Sequence, residues 1–477
     1  MREPTELTIA EAGAALRGGT LTAEALTRAH LDLIGRRNEA LNAFTEVTAD
    51  RALAAARQAD ADLSAGRDRG PMQGIPFAIK DLIDLDGATV ACGSRGRAGR
   101  KATSTAPAVQ RLLDAGAVPL GMVATYEYAL VGPSSDGPYP AARNPWSAEH
   151  ITGGSSSGSA SAVAGGLVRV ALGTDTGGSV RSPAAYCGIV GLKPTKGTVP
   201  TEGVFPLSPT LDHVGPLARS VPDAAAIFAA LTGAATPRLD RGLGGLRIAY
   251  ARGWAMSEEA APGLLELTDD SVAVLSMEGA RTRIADLPDI ALAEAAGAIL
   301  IHAEALESHP ELAGRGDGYG RMAFQSLIAG AALTGEDVAR AHRVAVRLRA
   351  GLDAVLEAHD AIVTPTTLTP APPLSAFAGG RAAWTPMRTL PFNVSGHPAL
   401  TVPMGFIGGL PVGLQIVGRH GDEATILRIG AAFEAATDHG ALRPPCPAGA
   451  ATPHRGASRP DAGGRMQDGE TGSQPGR

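Results

Sequence analysis

The residues best suited to chemistry lie between His150 and Gly197, where two glycine-rich turns each carry serine. Residues 153–161 are Gly, Ser and Ala alone, and a second turn at 175–179 follows the apolar run 167–172. Glycine lacks the Cβ that keeps a ligand away from backbone N–H groups, and serine is the commonest oxygen nucleophile. A serine hydroxyl needs a base at neutral pH. Histidine is the usual one, yet the eleven histidines are scattered. His150 and His213, nearest the turns, sit in no triad context and read as structural. Lysine is the other option. It occurs at only four positions (Lys80, Lys101, Lys193 and Lys196) in a chain that otherwise uses arginine for positive charge. A retained lysine marks a place where a deprotonatable amine is of use, which arginine cannot supply; chance persistence is the plain alternative for any one of them.

Other nucleophile and phosphate motifs fall away. Gly154 to Gly158 matches the GxSxG elbow with Ser156 as nucleophile, but that motif requires a buried strand directly before it, and NPWSAEHITG is polar and turn-like. No lysine has a serine three positions before it, so the SxxK signature is absent, as are P-loop and GxGxxG fingerprints. What remains is a lysine and two serine turns.

The elements that must position them follow from periodicity. Helical spacing of apolar residues predicts helices at 8–16 and 22–36, with Thr20 or Thr22 as a cap, and at 49–64 and 105–114. Further helices are expected at 221–231, 258–279, 291–308, 335–359 and 423–437. Short apolar runs predict strands at 76–79, 118–122, 187–192, 247–250, 361–363, 399–402 and 412–417. Lys80 and Asp81 then sit at the C-terminal end of the 76–79 strand, where open α/β sheets place ligand-contacting groups. Residues 130–146 form a long Pro/Gly/Ser-rich loop, and 235–245 is the main candidate for an internal boundary. Beyond about residue 443 the chain has hardly any apolar residues and is expected to be disordered.

Composition bounds the function class. A hydrophobic fraction of 44% and a charged fraction of 19% are ordinary for a globular chain with a large core. The net charge of −6, without a basic stripe interleaved with aromatics, gives no footprint for nucleic acid. No apolar run is long enough to span a bilayer, and the N-terminus lacks a signal-peptide profile. Cys92, Cys187 and Cys446 lie far apart, which argues against a disulfide framework or zinc site and fits a reducing cytoplasm.

The motifs GIPFAIKDLID around Lys80, TGGSSSGSASAVAGG around Ser155 and ALGTDTGGSVRSPAAYCGIVGLKPTKG around Ser179 resemble those of the amidase signature family. ARNPW, LDHVGPLARSVPD and FNVSGHPALTVPMGF…GLPVGLQIVGR extend the resemblance from about residue 8 to 436. It implies a Ser–cisSer–Lys triad: Ser179 as nucleophile, Ser155 on a cis peptide as bridging serine, and Lys80 as neutral-amine base. It further implies an oxyanion hole from the N–H groups of Thr176, Gly177, Gly178 and Ser179, with Asp175 and Arg181 holding the turn. Residues 320–327 and 386–393 would help line the acyl pocket. Two departures are visible: Ser157 stands where the family more often has glycine, and GMVATYEYALVG lacks a Lys-Thr-Asn run found in many relatives. The second bears on the pocket wall and so on substrate rather than mechanism.

Physical chemistry supports the same assignment. An apolar strand before Lys80 provides the burial that brings an amine pKa toward neutrality. Each aligned N–H group in an oxyanion hole is worth about 3 kcal/mol of barrier. The expectation is an α/β fold of the amidase signature type, with a large mixed central β-sheet flanked by helices on both faces. It occupies residues 1–442, and 443–477 form a low-complexity tail. The expected activity is hydrolysis of a small-molecule carboxylic amide through an acyl-enzyme, with no metal or organic cofactor, no nucleic-acid partner and a cytoplasmic location; a homodimer is compatible with it. One rival is the A subunit of a glutamyl-tRNA(Gln) amidotransferase, which would draw ammonia from glutamine inside a complex. A rival of another class is a non-catalytic protein whose glycine turns hold an anion.

Overall fold

The computed structural model describes residues 2–134, 136–310, 318–380, 382 and 384–445, and among these eleven strands join one sheet. They are β1 (Phe44–Val47), β2 (Pro76–Lys80), β3 (Val118–Val123), β4 (Val170–Asp175), β5 (Val190–Lys193) and β6 (His213–Ala218), followed by β7 (Arg247–Tyr250), β8 (Arg281–Ile284), β9 (Ala361–Pro365), β10 (Ala399–Ile407) and β11 (Leu410–Val417). Their spatial order is β1-β3-β2-β4-β6-β5-β10-β11-β9-β7-β8. The sheet is mixed: β2 runs parallel to β3 and β4, and β7 to β8 and β9, while β10 pairs antiparallel with β5 and β11.

Every residue of β2 and β4 is buried, which is why both read as continuous apolar runs rather than as alternation. Successive side chains of a strand point to opposite faces, and β10 has a helix on each. Leu400 and Val402 lie against Gly430 of the helix Glu423–Ala436, whereas Thr401 lies across Gly413 from Ala185 of the helix Arg181–Cys187. The β10–β11 hairpin turns through Gly408 and Gly409, both at positive φ (59° and 81°), as a two-residue hairpin with the strand twist requires.

The helix boundaries follow the caps. Thr8 closes a capping box on Ile9–Arg17, and Thr22, not Thr20, caps Ala23–Leu41. The 187–192 strand expectation needs correction. Cys187 ends the helix Arg181–Cys187, Gly188 closes it in the left-handed region (φ 64°), and the strand begins only at Val190. Periodicity also missed β1, β6 and β8, and gave β4 only as an apolar run at 167–172. Strand β8 is short and mostly exposed. Strand β6 contains Pro216, but β5 pairs only with Leu217 and Ala218, so no partner on that side misses its N–H. The 235–245 stretch leads directly into β7, a strand of the same sheet. From residue 446 on, the expected low-complexity tail and Cys446 lie outside the described residues.

Candidate active site

Strands β2 and β4 are adjacent and parallel, with Ile79 opposite Leu172, so their C-terminal ends bring Lys80 beside Thr174. Lys80 is fully buried, and its Nζ lies 2.8 Å from Ser155 Oγ and 2.7 Å from Thr174 Oγ1. Ser155 enters on the loop ahead of the helix Ser157–Ala164, and the Gly154–Ser155 peptide is cis. Burial draws the Lys80 ammonium down to about 7, while the negative charges of Asp175 and Asp212 pull the other way. At that value a substantial fraction of the amine is neutral near pH 7.

Ser179 follows β4 on the second glycine turn, half-buried, and lines the same cleft as Ser155. The two turns touch directly, since Ser156 N–H donates to the Ser179 carbonyl at 3.3 Å. Ser156 is occupied elsewhere: its hydroxyl donates to the Thr174 carbonyl and accepts from the Thr174 N–H. That buried embrace leaves the formal GxSxG match without a free nucleophile. Gly154 must be glycine because a Cβ there would strike the Tyr126 ring, and Gly178 (φ +129°) because a Cβ would strike the Thr389 hydroxyl.

The turn that carries Ser179 is clamped from beneath. Asp175 and Arg181 form an ion pair with both side chains wholly out of solvent, and Arg181 Nε and Nη2 meet the carboxylate at 3.0 and 2.8 Å. Burial alone would raise the Asp175 carboxyl; the Arg181 charge and its hydrogen bonds overcome this and hold it well below the usual range. Arg181 also donates to Thr389 O, Gln415 Oε1 and Asn393 Oδ1, and the Asn393 amide donates back to Asp175. Thr389 Oγ1 donates to Gly177 O at 2.6 Å.

One expectation for the oxyanion hole is corrected by this clamp. Gly178 N–H donates to Asp175 Oδ1 at 2.9 Å, so it is committed to the turn. The N–H groups of Thr176, Gly177 and Ser179 have no hydrogen-bond partner among the described residues.

His213 is no base for this serine. Its Nδ1 lies 2.6 Å from the Leu211 carbonyl, its Nε2 faces Lys193 Nζ at 3.2 Å, and burial drives its pKa well below the ordinary value. His150 makes a local contact with Ser147 Oγ. Sequence reasoning gave no role to Thr174 and Gln415 and read Thr389 and Asn393 only as pocket wall; Thr174, Asn393 and Gln415 lay inside motifs quoted for the resemblance, but nothing in the sequence said what they touch.

The cleft walls are mostly apolar: Leu130, Ile151, Leu207, Ile301, Trp384 and Met387 line it, while Tyr126, Ser182, Thr385 and the imidazole of His302 add polar groups. Burial lowers the His302 pKa, and among the described residues no carboxylate, ammonium or guanidinium lines the cleft. Of the predicted pocket segments, 386–393 contributes Met387, while nothing from 320–327 reaches the lining.

Comparison with known proteins gives the arrangement its context. The chain is 37% identical over 484 residues to the A subunit of a glutamyl-tRNA(Gln) amidotransferase from Chloroflexus aurantiacus, covering 93% of this chain and 99% of that relative. Its structure is similar to the peptide amidase of Stenotrophomonas maltophilia, with a TM-score of 0.79, 33% identity and coverage of 92% and 98%. It is also similar to the A subunit of the glutamyl-tRNA(Gln) amidotransferase from Thermotoga maritima, with a TM-score of 0.78, 28% identity and coverage of 94% and 99%. Among the described residues no helix is long and apolar enough to cross a membrane. Since the Amidase family model matches residues 25–427 and the fold is similar to that of such enzymes, the chain belongs to the amidase family, enzymes that act on carbon–nitrogen amide bonds.

Proposed function

We propose that this enzyme is a stand-alone hydrolase of neutral carboxamides with an apolar acyl part, working through an acyl-enzyme on Ser179. The observation that carries the reading is the fully buried Lys80 amine, bonded to Ser155 Oγ at 2.8 Å behind the cleft that Ser155 and Ser179 line. As a neutral amine Lys80 accepts the Ser155 proton, while one of its N–H groups stays hydrogen-bonded to Thr174 Oγ1. Ser155 in turn takes the proton of Ser179, whose Oγ bonds to the amide carbon. The carbonyl oxygen becomes an oxyanion held by the N–H groups of the 176–179 turn, Gly178 excepted. The relay then runs backward, delivering the proton to the nitrogen as the C–N bond breaks and ammonia or an amine leaves. Water repeats the sequence on the ester and releases the carboxylate.

A second reading, as the glutaminase component of a glutamyl-tRNA(Gln) amidotransferase, is favoured by the 37% identity to a protein of that kind. Against it, glutamine would bring an α-ammonium and an α-carboxylate into walls that offer no opposite charge among the described residues, at a high desolvation cost. Ammonia release by the purified chain on acetamide, benzamide, phenylacetamide, indole-3-acetamide, biuret and glutamine, with Ser179→Ala as control, tests both. Release from the apolar amides that vanishes in the control supports the hydrolase. Release from glutamine alone, or only with added partner proteins, supports the other reading.

A further inference from the structure

Away from the cleft, the helix Gly335–Ala358 brings Asp353 against two histidines from separate loops, His397 just before β10 and His420 just after β11. His397 Nε2 lies 3.0 Å from Asp353 Oδ1, and His420 Nδ1 lies 3.6 Å from the same oxygen. One residue holds the far side of both rings: Ser395 Oγ is 3.0 Å from His397 Nδ1, and the Ser395 carbonyl is 3.1 Å from His420 Nε2. A carbonyl only accepts, so His420 Nε2 carries a proton and Nδ1 of the neutral ring is a bare lone pair. That lone pair faces a carboxylate oxygen, itself an acceptor. A cation between them converts the repulsion into attraction.

We propose that Asp353, His397 and His420 form a binding site for a divalent transition-metal ion, with zinc the best match to two imidazoles and a carboxylate. Tetrahedral zinc takes such ligands at about 2.0–2.2 Å, which sets them roughly 3.4 Å apart. The observed 3.0 and 3.6 Å fall on either side of that spacing, and all three ligand atoms lie within 4.8 Å of one another. Ser395 supplies the outer-shell hydrogen bonds that metal-binding histidines require of their second nitrogen. Arg349 Nε, 3.9 Å from Asp353 Oδ2, engages the other carboxylate oxygen and leaves Oδ1 for the ion. Asp353 is 47% exposed and His420 21%, so an ion reaches the site from solvent and keeps a water as its fourth ligand. The ion would tie the end of the long helix to the loop that follows Asn393, bracing the clamp under the nucleophile turn without entering the reaction.

The test is calorimetric titration of the tag-free, chelator-stripped full chain with zinc chloride, paired with the visible spectrum of the cobalt(II) form. One equivalent should bind, cobalt should give tetrahedral d–d bands, and zinc should raise Tm with concentration. His420→Ala and Asp353→Asn, both at solvent-accessible positions, should each weaken binding at least about 10-fold, and Ser395→Ala by about 10-fold, with the fold of each variant checked by its circular dichroism. No saturable uptake by the parent chain would overturn the proposal. So would equal uptake by the parent, His420→Ala and Asp353→Asn, because the ion would then sit elsewhere.

Discussion

Lys80 and Lys193 are both wholly removed from solvent at the ends of strands, and burial lowers the pKa of each. They differ in what their amines meet. Lys80 Nζ touches two hydroxyls, one of which opens onto the cleft. Lys193 Nζ donates to the Pro194 carbonyl at 3.0 Å and sits 3.2 Å from His213 Nε2, a ring whose other nitrogen is already held by backbone. A carbonyl cannot relay a proton, and a histidine locked in the interior has nowhere to pass one. Burial makes an amine available as a base; a hydroxyl that faces substrate gives it work.

Removing the proposed nucleophile should have the largest effect. Ser179→Ala is expected to cut kcat/KM by about 10⁴-fold or more and to abolish labelling by a fluorophosphonate probe. Next comes the contrast itself. Lys80→Ala should cost about 10²–10⁴-fold in kcat/KM, and Lys80→Arg should not restore it, because arginine stays charged. Lys193→Met, assayed beside it, should keep activity per folded molecule within about 10-fold while losing about 1–3 kcal/mol of stability in urea unfolding, the cost of the unsatisfied groups it leaves. Equal inactivation by Lys80→Ala and Lys193→Met, with both folded, would break the comparison.

The pH profile sharpens it. Because the proposed mechanism uses the neutral Lys80 amine, kcat/KM should rise with pH through about 7. The same depressed pKa means the unfolded chain binds more protons than the folded one between about 7 and the ordinary lysine value. The Lys80 contribution to stability therefore grows with pH across that window and is lost as pH falls to about 7. Arg181→Met, which strands the Asp175 carboxylate, should destabilise the chain by about 3–5 kcal/mol in the same unfolding assay. The smallest change is expected from Thr174→Val, which removes one of the two hydroxyls at Lys80 Nζ. It should shift the acid limb of the profile and lower kcat/KM by no more than about 10-fold.

What could be read from the sequence was what chemistry leaves in residue type. Scarcity narrowed the amines to four lysines and the glycine-rich turns drew attention to their serines, but the family resemblance singled out Lys80, Ser155 and Ser179. Strands β2 and β4 were visible as apolar runs because both their faces are buried. Thr174, Thr389 and Gln415 left no such trace. Each is an ordinary polar residue whose role is a hydrogen bond to a group distant in sequence, and nothing in its own neighbourhood encodes that partner. Gly178 shows the opposite error, since its place in a motif suggested a free N–H that the Asp175 carboxylate in fact takes up.

The bond from Arg181 to Gln415 spans 234 residues, so the turn beneath Ser179 is completed by a strand made long after it. A ribosome adding about 5–20 residues per second reaches Gln415 roughly ten to fifty seconds after Arg181. During that interval Lys80, Ser155 and Ser179 already exist, but the nascent chain lacks Gln415, one of the groups that hold Arg181 beneath the Ser179 turn. On the proposed mechanism, a chain cut short upstream of β11 carries every proposed reactive group without the complete clamp under that turn.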